Sequence, residues 1–178
     1  MIRIVLVFFL ILNNCSTIIV KREYLQIKEK QIILSFDDGP NLSNNTTKNL
    51  LGILKKHNVK AAFCLVGQNV EKTPHLLKEI YSDGHLIVNH SYSHSILLSD
   101  NDVENEIQHC NNVIREALST NEFEIKFFRP PVGIVNNSIE KVVKKLNMKL
   151  FYVNIFLFDT EYSPANYTKL KENLIKEI

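Results

Sequence analysis

Gln31-Ile32-Ile33-Leu34-Ser35-Phe36-Asp37-Asp38-Gly39-Pro40 is an apolar β-type run that ends in two adjacent carboxylates and a Gly-Pro stop. The run predicts a buried strand over 31–36. It sets Asp37 and Asp38 at the strand's carboxyl end, where α/β folds gather their active sites. Neighbouring strand residues point to opposite faces, so the two carboxylates reach one site only if the chain turns there. The same residues also read as a strand-to-loop junction whose Asp side chains bond nearby backbone.

Working outward, strands alternate with helices. Leu50, Leu51 and Leu54 form one face of a helix over 46–57, with Asn58 as a left-handed stop. A second strand is expected at 61–66. Thr73-Pro74 starts a helix that Asp83-Gly84 ends, and a third strand at 86–88 delivers Asn89 and His90. Ser99 caps a long helix to about Leu118, with Asp100, Asp102 and Glu104 at its start. A fourth strand at 125–128 ends at Arg129, and Asn137 caps a helix to Leu146. A fifth strand is expected over 149–158, then a helix from Ser163-Pro164 with Leu170, Leu174 and Ile178 on one side. The polar motifs all fall at strand ends on one rim.

His90-Ser91-Tyr92-Ser93-His94 spaces two histidines four apart. They are able to grip one metal ion, or to sit as solvated residues in a Ser-rich loop. Two imidazoles with one carboxylate make an open-sided set suited to zinc or another divalent ion. Asp-Asp-Gly-Pro, then His-x-x-x-His, then Phe128-Arg129-Pro130-Pro131-Val132-Gly133, in that order, is far more specific than any one part.

Over residues 30–162 the chain resembles the polysaccharide deacetylases of the NodB-homology type, carbohydrate esterase family 4. Ser35–Pro40, His90–His94 and Phe128–Gly133 match its first three motifs. The resemblance implies an α/β distorted (β/α) barrel that removes N- or O-acetyl groups from a polysaccharide with a bound divalent metal, zinc first, with cobalt, nickel or manganese as alternatives. It implies Asp38, His90 and His94 as metal ligands and Asp37 as general base. Arg129 holds Asp37 ionised by a charge-assisted bond. The stiff Pro-Pro loop makes the Val132 N–H a candidate oxyanion donor, at a position where the family often has Tyr. A weaker fourth motif, Asp159-Thr160-Glu161-Tyr162, offers Tyr162 as a sugar-stacking side chain. The family's fifth motif, Leu-x-His, supplies the acid for the leaving amine and is absent, so a barrel lacking its last strands is expected.

The 178 residues, 45% hydrophobic and 22% charged with net charge +2, suit one globular domain and no nucleic-acid partner. No phosphate loop or nucleophile elbow is present, and no protein partner is implied. Arg3 followed by the apolar run Ile4–Leu12 reads as an export signal, with Cys15 as a candidate lipidation site. The expected layout is a signal or anchor at 1–15, a linker at 16–29 and the catalytic domain at 30–178. Membrane contact then comes only through the N-terminal segment, and the domain lies in the cell envelope or is secreted. Cys64 and Cys110 read as core residues. His57, His75, His85 and His109 read as non-catalytic. A glycan- or metal-binding remnant without turnover, or a zinc site that only stabilises the fold, are the competing readings.

Overall fold

The computed structural model describes residues 32–153 and 166–177. They fall into two compact units, one comprising 32–151 and the other 152–153 with 166–177. Met1–Leu12, Cys15, residues 16–29, Gln31, the distal part of the expected fifth strand, Tyr162 and Ser163-Pro164 lie outside the described residues.

Five strands, β1 (Ser35–Gly39), β2 (Ala62–Leu65), β3 (Leu86–Asn89), β4 (Phe127–Phe128) and β5 (Lys149–Leu150), form one parallel sheet in sequence order. A doubly wound sheet reverses direction part-way; this one never does, which is the winding of a (β/α) barrel. Among the described residues the sheet does not close on itself. Parallel crossovers are right-handed as a rule, and advancing in one direction they carry the connecting helices to one face. Those helices are α1 (Thr46–Lys56), α2 (Gly67–Lys72), α3 (Pro74–Ser82), α4 (Asp100–Leu118) and α5 (Asn137–Lys145). The central helix, α4, packs against α2, α3 and α5 through Val103, Ile107, Cys110 and Ile114. Strand alternation then splits β2 between two cores. Phe63 and Leu65 face one way with Ile87, and Ala62 and Cys64 face the other with Val88 and Phe151. In the second unit a further helix, α6 (Tyr167–Glu177), carries Leu170 and Leu174 half-buried.

Local signals explain most boundaries. Asn58 takes the left-handed conformation expected of it (φ 52°), as does Gly84 (φ 73°). The Ser99 hydroxyl accepts from the Asp102 N–H at 3.2 Å and caps α4. The cap of α5 is Asn136, one residue earlier than expected, its carbonyl oxygen accepting from the Ile139 N–H at 2.9 Å. The first strand also departs from expectation. It starts at Ser35, and Ile32, Ile33 and Leu34 are 53%, 45% and 40% exposed. Among the described residues β1 is an edge with β2 as its one neighbour, so nothing covers the apolar run before it. Helix α2 was not anticipated; at six residues it is too short for a hydrophobic period to show.

Candidate metal centre and active site

The site is built on a β-bulge. Ser35 pairs with Ala62 and Phe36 with Phe63, but Gly39 pairs with Leu65, so Asp37 and Asp38 together stand opposite Cys64. Asp38 adopts φ 63°, a left-handed conformation that Asp tolerates better than most side chains. This is the turn that two adjacent carboxylates require in order to converge. Asp37 keeps the parity of Ser35 and faces the Ala62–Cys64 side, while Asp38 swings to the rim.

On that rim His90 follows the last residue of β3 and His94 closes the next loop. The His94 Nε2 is 3.0 Å and the His90 Nε2 3.4 Å from the same Asp38 oxygen. One donor atom from each of the three residues lies within 4.8 Å of the others, the one such His/Cys/Asp/Glu group among the described residues. The hydrogen bond from His90 and the charge of His94 hold Asp38 below its ordinary value of 3.8, against the opposing effect of partial burial. The His90 Nδ1–H donates to the Arg129 carbonyl at 2.7 Å. A carbonyl only accepts, so Nδ1 carries a proton and Nε2 is the ring atom that faces Asp38, the one that would offer its lone pair to a bound cation. Two imidazole lone pairs and a carboxylate on one side of an open rim fit a divalent cation of the zinc type.

Beside this cluster, Arg129 is buried, its side chain 6% exposed. Its guanidinium donates to Asp37, to Ser35 Oγ at 3.0 Å and to the Phe151 carbonyl at 3.2 Å, and lies 4.7 Å over the Phe151 ring. Those contacts satisfy a cation out of water and fix one carboxylate oxygen of Asp37. Cys64 lies beneath the pair. Burial pushes its thiol up, opposed by the Arg129 charge and reinforced by Asp37, so it stays a protonated core group. Burial likewise lifts Cys110, to about 12, and its S–H reaches the Leu65 carbonyl at 3.6 Å. Both thiols are core residues, as their apolar sequence contexts predict.

Val132 lies in the same rim of loops, 66% exposed and with φ 55°. Tyr162 and Cys15 fall outside the described residues. His57, His75 and His109 are exposed, and His109 stacks on Tyr92 at 3.7 Å between ring centroids. His85 is buried, its Nδ1 accepting from the Ala61 N–H at 3.3 Å. The sequence reading missed Ser35 and Phe151 as Arg129 partners and Asn89 and Glu106 as supports of the histidine loop. Glu106 carried a signal, since it falls three residues after Val103 and one before Ile107, on the edge of a buried helical stripe.

The barrel-wound sheet and the His–His–Asp cluster at its carboxyl rim define a (β/α) protein with an open, metal-compatible site. Residues 25–151 match the polysaccharide deacetylase family, and the chain belongs to it. A peptidoglycan-N-acetylglucosamine deacetylase of Bacillus cereus is 41% identical over 114 residues, covering 62% of this chain and 39% of the relative. The peptidoglycan-N-acetylmuramic acid deacetylase PdaA of Bacillus subtilis is 31% identical over 134 residues, covering 74% of this chain and 49% of the relative. The chain thus spans less than half the length of these two relatives. Among solved structures, a CE4-family pseudoenzyme from Bacillus anthracis superposes with a TM-score of 0.73 at 26% identity, covering 84% of this chain and 51% of that one.

Proposed function

We propose that this chain belongs to a hydrolase that removes acetyl groups from an amino-sugar polysaccharide, peptidoglycan or a chitin-like polymer, outside the cytoplasm. The convergence of Asp38, His90 and His94 beside an Arg129-anchored Asp37 carries the reading. Asp38, His90 and His94 would hold a divalent cation, zinc first among candidates. Such a cation supplies Lewis-acid polarisation of an acetyl carbonyl and makes water more acidic. Asp37, free of the ligand cluster and held by Arg129, accepts the proton of the attacking water. Ser35 and the Phe151 carbonyl keep Arg129 aimed at Asp37, so the base neither swings onto the metal ligands nor loses its orientation. The Val132 N–H, on a loop stiffened by Pro130 and Pro131, donates to the oxygen on which negative charge grows. Tyr162 is assigned to the sugar by resemblance. The apolar run Ile4–Leu12 supports export, and Cys15 supports attachment to a membrane surface.

The test separates ligand from base. His90→Ala or His94→Ala should lower zinc affinity by orders of magnitude, and Asp37→Asn should leave zinc bound while acetate release from acetylated sugar oligomers stops. Calorimetry in which Asp37→Asn loses the ion as fully as His90→Ala would refute the split. A binding protein without turnover is the second reading, and the similarity to a pseudoenzyme favours it. Its signature is glycan and zinc affinity with no acetate released by any variant.

A further inference from the structure

The loop between the two histidines is short, strained and completely bonded. Ser91 and His94 both have left-handed backbones, φ 66° and 61°, without being glycine. Such conformations persist only where the surroundings over-determine them. Here every backbone N–H from His90 to His94 has an acceptor. His90 donates to the Leu65 carbonyl at 3.0 Å, Ser91 to the Asn89 side-chain oxygen at 2.8 Å, and His94 to the Ser91 hydroxyl at 3.0 Å. The remaining two, Tyr92 at 2.9 Å and Ser93 at 2.7 Å, both donate to one oxygen of the Glu106 carboxylate. The other oxygen accepts from the Ser93 hydroxyl at 2.9 Å. On the opposite side the first amides of α2 take the loop's carbonyls, Gly67 N–H to Ser91 at 3.0 Å and Gln68 N–H to Tyr92 at 2.9 Å. Gly67 is obligatory there, because a Cβ would stand 2.6 Å from the Tyr92 ring and 3.1 Å from its Cα.

We infer that Glu106 is a positioning residue of the metal centre, holding the His90–His94 loop on α4 by its two middle amides so that His94 meets Asp38. The inference rests on the metal reading above. The two histidines differ in how they depend on this hold. His90 is fixed independently, by its own amide on Leu65 and its ring on the Arg129 carbonyl. His94 is half-exposed and reaches Asp38 only through the shape of the loop. Without Glu106, two amides lose their acceptor and the strained backbone relaxes first at His94. What Glu106 supplies is acceptor geometry. A glutamine keeps it, its carbonyl oxygen taking both amides while its NH2 donates to Ser93 Oγ.

The experiment uses the whole chain, comparing wild type, Glu106→Leu and Glu106→Gln. Zinc affinity is measured by calorimetry, and hydrogen exchange of the Tyr92 and Ser93 amides is followed in zinc-free protein. Glu106→Leu should weaken zinc about 10- to 100-fold and accelerate exchange at both amides, with Glu106→Gln close to wild type in both respects. Wild-type zinc affinity in Glu106→Leu, or a loss in Glu106→Gln as large as in Glu106→Leu, would overturn the inference. A wild type that takes no zinc would instead overturn the metal reading. If Glu106→Leu does not fold, Glu106→Asp decides. Its carboxylate is one methylene short of the amides, so weakened zinc binding at unchanged melting supports the inference and undiminished binding refutes it.

Discussion

Val132 holds a β-branched side chain at φ 55° and ψ 10°, a backbone conformation that crowds its Cβ against the chain. Asparagine tolerates that conformation far better and leaves the 132 N–H in place. Val132→Asn should therefore raise stability by about 1 kcal/mol in urea unfolding, without loss of zinc affinity. A destabilised Val132→Asn would mean that the valine side chain has packing value on the rim. Arg129 shows the opposite economy. Its charge is buried and satisfied by Asp37, Ser35 and Phe151, so Arg129→Gln leaves the Asp37 carboxylate half-buried without its counter-charge. Breaking a buried pair of this kind costs about 3 kcal/mol, and here the loss should appear in both unfolding free energy and acetate release. Unchanged stability would show that the one-third exposure of Asp37 lets water replace the guanidinium.

At the scale of elements, what was legible follows from which signals are periodic or chemical. The stripe Val103, Ile107, Cys110, Ile114 announces α4, and Thr73-Pro74, Asn58 and Gly84 punctuate the chain where the structure turns. The gathering of polar motifs at strand ends was legible too, because β-strands aim successive loops at one rim. The bulge in β1 was legible only as a requirement: adjacent carboxylates must turn, but no residue type fixes φ at Asp38. Nor does the pattern reveal that Ile32–Leu34 stay exposed, since the same apolar run serves a central or an edge strand. What Glu106 and Gly67 do was hidden for another reason: the stripe of α4 sets Glu106 at the edge of the core, but both roles are long-range contacts between α4, α2 and a loop. His85, at the entry to β3, gives an element-scale test. Burial above all, with the Lys60 charge, lowers its pKa from 6.5, although its Nδ1 is well used by Ala61. The unfolded ring therefore takes up its proton first as pH falls. The stability it contributes is full above about 6.5 and declines below it, until the folded ring also protonates. In zinc-free protein the melting temperature should fall between about pH 7.5 and 5.5, and His85→Gln, which keeps an acceptor, should flatten that part of the slope. An equal slope in His85→Gln would assign it to other histidines.

For the molecule as a whole, the two halves of the proposed chemistry draw on different parts of the chain. Asp37, Asp38, His90, His94 and Arg129 all precede Pro130, and the described sheet already brings them together. The residues assigned to the metal half thus all lie on β1 and the loops after β3 and β4. The leaving-group half is different. By resemblance the acid that protonates the departing amine is a histidine after the fourth motif, and this sequence has no histidine beyond His109. An amine expelled without a positioned acid leaves slowly, and such an acid is worth ~10²–10⁴-fold in rate. Assayed as these 178 residues alone, whatever follows them in the whole protein, the polypeptide should therefore bind zinc well and release acetate slowly. Free zinc at about 100 times its dissociation constant should stabilise the fold by about 2.7 kcal/mol, seen as a rise in melting temperature. The decisive comparison sets this polypeptide against one extended by a segment bearing Leu-x-His, with zinc affinity and acetate release measured for both. Equal zinc affinity with a gain of about 100-fold or more in acetate release would place the acid on that segment. Comparable turnover by both would show that water or a side chain already present delivers the proton, and the division of the site into two halves would not stand.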